Sequence, residues 1–164
     1  MKKIIFLISF IALLSSTKAQ LVPKAKCDDF YVDILDGKVN GVRPDFTMGQ
    51  IKDKLPCFTS SDPEGTSSSK CGGTLFYADK GVYFYTDRDY VEIKESFKGK
   101  LSIPVLGADR KSLFKWLGNA ALKDDAWDAF ETKYGILVLH YNKLNKVNLI
   151  QMTTKSTSTL NLCQ

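Results

Sequence analysis

The sequence has little of what metal sites and hydrolytic active sites require. It contains one histidine, His140, and its four cysteines form no C-x-x-C pair, a spacing common in zinc sites. We expect His140, on a predicted strand, to be a partly buried structural side chain. Asp124, Asp125 and Asp128 are the alternative, a carboxylate site, but adjacent acids before an apolar stretch are usually solvated. The sequence therefore predicts a protein that is not an enzyme and has no metal or cofactor.

Beyond its first residues, the chain lacks an apolar run long enough to cross a membrane, which takes about 20 residues. Two lysines precede an uncharged stretch at 4–14, and small residues follow it. This order is typical of a secretory signal peptide at 1–19, and its removal leaves one domain, 20–164. A lipoprotein signal would have a cysteine where Gln20 stands. We expect a periplasmic or secreted protein with no membrane span after signal cleavage.

The chain also has little net positive charge once the leader is removed. The formal net charge of +5 falls to +2 without the three lysines of residues 1–19. The remaining lysines are scattered along the chain, whereas surfaces that bind nucleic acid concentrate their basic side chains. The sequence therefore predicts no nucleic-acid partner.

The four cysteines all lie in the predicted mature domain. An even number in an exported chain indicates two disulfides, with three pairings open. We favour Cys57 with Cys71, which closes a short polar loop, and Cys27 with Cys163, which ties the two ends of the domain together. On the chain-entropy model these bonds contribute about 3 and about 5 kcal/mol.

Local patterns predict short helices and several strands. Thr47 is a good N-cap for a helix at 48–55, and Asp109 can cap a second one that ends at Gly118. The segment 124–132 fits either a helix or a strand. Strands are predicted at 30–35, 74–78, 82–86, 90–93, 100–105, 136–141 and 146–153. The predicted fold class is α+β, an antiparallel sheet with short helices on one face.

The second half of the sequence repeats the order of elements in the first. A capped helix at 47–56 matches one at 109–118 at an offset of 62, and a hairpin at 76–85 matches one at 130–139 at an offset of 54. We therefore expect two helix-plus-hairpin units in one domain. The units span about 27–105 and 106–164.

This spacing resembles that of known envelope proteins. The residues that carry the resemblance are Thr47, Ile51, Leu55 and Pro56 in the first unit, and Leu117, Gly118, Tyr134, Gly135, Lys146, Val147 and Ile150 in the second. They are similar to the small folds of β-lactamase-inhibitor proteins and of the outer-membrane assembly lipoprotein BamE. The resemblance implies this α+β fold and a tendency to bind proteins on a sheet face. The chain differs from the lipoprotein in lacking a lipid-bearing cysteine, and from the inhibitors in its 57–71 loop.

The candidate binding surface is an aromatic hairpin. Strand alternation places Tyr83 and Tyr85 on the opposite face from Val82 and Phe84. If the latter pair faces the helices, both tyrosines lie on the open side of the sheet. Tyrosine and arginine often anchor protein interfaces, although these tyrosines would also suit a half-exposed sheet without a partner. The candidate residues are Tyr83, Tyr85, Arg88 and Tyr90.

The sequence thus predicts an exported, non-enzymatic domain that binds a protein partner through its open sheet face. An inhibitor or immunity-type role against a secreted enzyme or toxin fits its size, its export and its lack of a catalytic set. The alternatives are an envelope assembly or scaffold factor, and a glycan-binding protein, since tyrosine faces also stack on sugars.

Overall fold

The structure, a computed structural model, describes residues 25–65 and 71–160. The predicted signal peptide and Cys163 lie outside these residues. No helix in the described part of the chain is long and apolar enough to span a membrane.

The strands in the described part of the chain are β1 (Phe30–Asp33), β2 (Lys38–Val39), β3 (Ser60–Asp62), β4 (Thr74–Tyr77), β5 (Val82–Tyr85), β6 (Tyr90–Lys94), β7 (Gly99–Leu101), β8 (Leu122–Lys123), β9 (Trp127–Glu131), β10 (Ile136–Tyr141) and β11 (Val147–Thr153). The two α-helices are α1 (Met48–Lys54) and α2 (Phe114–Leu117).

Most of the described strands belong to one antiparallel sheet of eight strands, in the order β3-β4-β5-β6-β11-β10-β9-β8. It consists of two four-strand meanders, which meet where β6 pairs with β11. A smaller sheet, in the order β2-β1-β7, includes a parallel pair, β1 with β7. The predicted class, α+β with a mostly antiparallel sheet and short helices, is confirmed.

The main core lies on one side of the large sheet. Val82 and Phe84 of β5 are fully buried there, together with Ile51 and Leu55 at α1. Val82 and Phe84 therefore point to the side of the sheet on which α1 packs, and the condition set for the two tyrosines is met. The opposite side of this sheet is called the open face below.

The first helix forms as its sequence predicts. The hydroxyl of Thr47 accepts a hydrogen bond from the backbone N–H of Gln50, and the Gln50 side chain accepts one from the N–H of Thr47. This reciprocal capping box satisfies amide groups that the first helical turn leaves unpaired. The helix ends before Pro56, which cannot continue it.

The second helix is shorter than predicted. Asp109 caps the N–H of Lys111, but the segment then forms a 3-10 turn, Arg110–Ser112, and a single α-turn, α2. Gly118 follows at a φ of +70° and ends α2. The side chain of Phe114 on α2 is 64% exposed.

The ambiguous segment 124–132 contains the strand β9. This strand pairs on one side with β10 and on the other with β8. Its apolar residues fit a helical face, but these two ladders satisfy its backbone in the extended form. The other predicted strands are present, with ends that differ by up to four residues. The short strands β2, β3 and β8 were not predicted.

The sequence offset of 54 between the two hairpins matches residues that lie on opposite faces of the large sheet. It places Val82 on Ile136, yet Val82 lies in the main core and Ile136 lies in a separate cluster on the open face. Because successive side chains of a strand point to opposite faces, a slip of one residue exchanges the faces.

The favoured disulfide pairing is also wrong. Cys27 is bonded to Cys57, with their Cα atoms 5.4 Å apart, so neither the Cys57–Cys71 nor the Cys27–Cys163 bond forms. Cys27 shortly precedes β1 and Cys57 shortly follows α1, and both elements pack on the main core, which brings the two cysteines together. Cys71 is also disulfide-bonded.

A close contact joins the β1–β2 turn to the β9–β10 turn. The ring of Tyr134 lies over Gly37, where a Cβ atom would approach its Cδ2 to 2.5 Å. Gly37 has a φ of +62°, which a residue with a side chain adopts only at a cost. A glycine is therefore required at this position for both its conformation and its contact.

Replacing Gly37 by alanine should destabilise the fold more than replacing Gly41. Both glycines have a positive φ, at +62° and +78°, so both variants acquire backbone strain of about 1–2 kcal/mol. A new methyl group meets Tyr134 only at Gly37, because nothing lies within 4 Å at Gly41. We expect G37A to lose about 1–3 kcal/mol more of its unfolding free energy than G41A in urea denaturation. Equal losses would show that the Tyr134 contact does not constrain the turn.

Candidate functional site

The open face presents one continuous row of side chains across the large sheet. Strand register places neighbouring residues of the row directly opposite each other on adjacent strands, so that they share a face. From one edge to the other the row is Ser60, Phe76, Tyr83, Glu92, Gln151, Val138, Ala129 and Leu122. The first five residues of the row are aromatic or polar, and the last three are aliphatic.

Four aromatic side chains on β4, β5 and β6 form what is called here the aromatic cluster: Phe76, Tyr83, Tyr85 and Tyr90. The rings of Phe76 and Tyr83 meet edge to face, with centroids 5.5 Å apart. Tyr85 stacks on Tyr90 at 4.5 Å and an interplanar angle of 19°. Such pairs are worth about 0.5–1.5 kcal/mol beyond their buried area, so the rings hold one another in place.

The four predicted site residues differ in their burial and in their position on the sheet. Tyr83 and Tyr85 are half-buried on the open face, as expected from strand alternation. Tyr90 is only 2% exposed, and its ring stacks on that of Tyr85 on the adjacent strand. Arg88 is half-buried in the 3-10 turn Thr86–Arg88 after β5, beside the cluster.

Sequence reasoning missed a polar network in the middle of the open face. Glu92 is 4% exposed and Gln151 is 1% exposed. The Glu92 carboxylate accepts hydrogen bonds from the Gln151 amide at 2.9 Å and from the Tyr85 hydroxyl at 3.3 Å, and it forms an ion pair with Lys94. Lys94 also lies over the ring of Tyr83, with Nζ 5.3 Å from its centroid. The alternation of polar and apolar residues in Tyr90–Lys94 is the signal that could have revealed Glu92 and Lys94.

The network continues to the single histidine. The amide nitrogen of Gln151 donates to Glu92, so its oxygen is the atom that accepts from Nε2 of His140, at 2.8 Å. This direction assigns a proton to Nε2. The imidazole ring of His140 is thus joined to the polar network through Gln151.

The aliphatic part of the open face is covered in part by Leu160, which follows β11 in the chain. Ala129, Ile136 and Val138 form a small buried cluster there, against which Trp127 and Leu160 pack. On the other half of the face, Phe76, Tyr83, Tyr85 and Lys94 are partly accessible.

The three aspartates considered as a carboxylate site differ in how far they are buried. Asp124 and Asp125 are exposed, whereas Asp128 is 5% exposed. The carboxylate of Asp128 accepts from Nε of Arg110 at 3.0 Å and from the hydroxyl of Tyr141 at 2.7 Å. Asp128 is thus part of a hydrogen-bonded ion pair that connects β9 to the turn before α2. No group of three potential metal-ligating side chains occurs among the described residues.

In comparisons with protein-family models, curated proteins and solved structures, the chain matches none of them.

Ionisation of Tyr85 should destabilise the protein in alkaline solution. Burial, followed by the negative charge of Glu92, raises the pKa of Tyr85 above its usual value of about 10. The unfolded chain then loses this proton at a lower pH than the folded protein, so the unfolding free energy falls as the pH rises above about 10. We expect Y85F to show a smaller fall between pH 9 and pH 12 in urea denaturation. A slope equal to that of the wild type would contradict the placement of Tyr85 beside Glu92.

Removing the charge of Asp128 should destabilise the fold strongly. In D128N the guanidinium of Arg110, whose side chain is 25% exposed, loses its counter-charge. Breaking a buried ion pair by removing one partner costs about 3–5 kcal/mol, and we expect a loss near the lower limit in urea denaturation at pH 7. The matched control is D124N, an exposed carboxylate, with an expected change within about 0.5 kcal/mol. Similar stabilities for the two variants would mean that the ion pair adds little.

Proposed function

We propose that this protein is an exported, non-enzymatic domain that binds a protein partner through its open sheet face. The observation that carries the proposal is the aromatic cluster, whose outward rings, Phe76, Tyr83 and Tyr85, stand on adjacent strands of an eight-stranded sheet. Lys94 completes this surface. An inhibitor or immunity-type role against a secreted enzyme or toxin is the form of binding that we favour.

The rigidity of the cluster supports a role in binding. Association is opposed by the ordering of flexible side chains, at about 0.5–1.5 kcal/mol for each. Tyr83 is already held by Phe76 and Lys94, and Tyr85 by Tyr90 and Glu92. A partner that covers these rings therefore loses little affinity to ordering. Tyrosine also buries a large area while its hydroxyl can still form hydrogen bonds.

The charges of the open face also suit coverage by a protein. A buried carboxylate without a partner would oppose the removal of water. Glu92 already receives hydrogen bonds or charge from Lys94, Gln151 and Tyr85. Covering it with a partner would therefore leave no uncompensated charge at the middle of the interface.

The export of the protein is supported by its cysteines and its N-terminal sequence. Disulfides such as Cys27–Cys57 persist in oxidising compartments and are rare in the cytosol. Together with the predicted leader at 1–19, this supports a periplasmic or secreted location.

We infer further that the two meanders of the large sheet are tandem units. Their last strands, β6 and β11, lie antiparallel at the centre of the sheet, with Glu92 opposite Gln151. On the next strand outward, Tyr83 lies opposite Glu92 in the first meander, and Val138 lies opposite Gln151 in the second. The residues that precede them, Val82 and Leu137, therefore correspond to each other, and both are fully buried in the main core. In the same alignment Tyr83 corresponds to Val138, so the aromatic cluster belongs to the first unit alone.

The proposal is tested with three versions of the oxidised mature protein, each immobilised as bait: wild type, Y83A/Y85A and Y31A. Tyr31 is the control because its side chain is 46% exposed and stands on β1 of the small sheet. We expect one soluble enzyme or toxin to be retained by the wild type and by Y31A but not by Y83A/Y85A. Titration of that purified protein should show at least a 100-fold loss of affinity for the double variant, since hot-spot residues contribute about 2 kcal/mol or more each.

The double variant must first be shown to be folded, by its circular dichroism and its urea midpoint. A partner that binds folded Y83A/Y85A as tightly as the wild type would exclude the aromatic cluster as the binding site. Retention of a membrane complex in place of a soluble protein would favour the assembly or scaffold role.

A further inference from the structure

A hollow of about 260 Å³ lies on the core side of the large sheet, where β9 faces the segment that leads into α2. Leu113, Phe114 and Phe130 form its apolar lining. Leu113 and Phe130 belong to the main core, whereas the side chain of Phe114 is 64% exposed. An aromatic ring is therefore accessible to a ligand at a margin of the core.

Three cationic side chains line the same hollow: Arg110, Lys111 and Lys123. The charge of Arg110 is compensated by Asp128, the one acidic residue among the described lining. Its guanidinium also donates to two backbone carbonyl oxygens, at 2.7 and 3.2 Å. Lys111 and Lys123 are exposed and form no ion pair with any described residue. The hollow thus carries two ammonium charges that the described residues do not compensate.

The fold brings these two lysines to one place. Lys123 on β8 lies directly opposite Asp128 on β9, so both side chains are on the core side of the sheet. Arg110 donates to the carboxylate of Asp128 at 3.0 Å, which holds the turn before α2 against β9. Lys111 follows Arg110 in this turn, and its backbone N–H donates to the carboxylate of Asp109 at 2.9 Å. The ion pair therefore positions Lys111 at the hollow that Lys123 lines.

We propose that this hollow binds a small organic anion, a monocarboxylate whose apolar group packs against Phe114 and whose carboxylate pairs with Lys111 and Lys123. Ligand sites commonly combine mostly apolar walls with a few polar groups that fix the orientation of the ligand. The apolar group removes exposed ring surface from water, a contribution that an inorganic anion lacks. The two ammonium groups attract a carboxylate and repel an organic amine.

This site is separate from the proposed partner interface, beyond which the inference goes. Phe130 points to the core side of β9, whereas Tyr83 and the rest of the aromatic cluster lie on the open face. A ligand in the hollow and a protein on the aromatic cluster would contact opposite sides of one sheet.

The first test is calorimetric titration of the oxidised mature protein at pH 7 and low salt with three probes: octanoate, acetate and octylamine. We expect octanoate to bind at least about tenfold more tightly than acetate, because burial of its longer chain is favourable. Octylamine, with the same chain and the opposite charge, should not bind. Raising NaCl to about 0.5 M should weaken octanoate binding, since salt screens exposed charges. Octanoate that binds no better than acetate, or no better than octylamine, would overturn the proposal.

The second test locates the binding with two double variants that remove the same charge. K111Q/K123Q removes both lysines of the hollow, and K98Q/K100Q, its control, removes two exposed lysines at β7 of the small sheet. We expect the first variant to weaken octanoate binding by at least tenfold and the second by less than twofold, with both urea midpoints unchanged. Equal losses would mean that octanoate responds to net charge alone, and the hollow would be excluded as its site.

The variant F114A separates the apolar contact from the charges. Because the Phe114 side chain is largely exposed, its truncation should leave the urea midpoint near that of the wild type. We expect F114A to weaken octanoate binding by at least threefold while the affinity for acetate stays the same. Wild-type affinity for octanoate in F114A would contradict the assigned apolar contact. All three titrations use the free protein, so their failure would leave the proposed partner binding untouched.

Discussion

The pairing of β6 with β11 is the contact on which both faces of the large sheet depend. Ile93 lies opposite Ile150 on the core side, and Glu92 lies opposite Gln151 on the open side. The hydrogen bond between the last two side chains joins residues that are 59 positions apart in sequence. One strand pairing thus closes the core and assembles the polar network, and it also joins the two meanders into one sheet. Contacts of such long range cost more loop-closure entropy than local ones, because a long segment must be closed before they form.

The open face combines two features that are usually kept apart. Its middle contains a carboxylate that is almost inaccessible to solvent, and its outer half carries large aromatic rings. The two are linked, because Lys94 contacts both the carboxylate of Glu92 and the ring of Tyr83. A buried charge is tolerated where hydrogen bonds and an opposite charge compensate it. The same compensation orients the rings, so the surface that we propose for binding is ordered before any partner arrives.

Much of the fold could be predicted because its signals are local. The capping residue Thr47 and the breaker Pro56 define α1 from within a few positions, and alternation along β5 correctly separates Val82 from Tyr83. The elements that were missed are two or three residues long, as β2, β3 and β8 are. Strands of this length have too few residues to show a period, and they form only because a neighbouring strand supplies their hydrogen bonds. The single turn of α2 has the same explanation, since capping at Asp109 cannot by itself extend a helix.

By itself, the sequence determined the fold class, the positions of α1 and of most of the longer strands, and the fact that Tyr83 and Tyr85 share one face of β5 opposite Val82, because each of these follows from the spacing of neighbouring residues. Only the tertiary structure decided that Cys27 bonds to Cys57, that Tyr90 is buried under Tyr85, and that Glu92 meets Gln151 and Lys94. These contacts join segments that are distant in the chain or depend on strand register. A shift of one residue reverses the face of every side chain in a strand, so no local pattern contains that information.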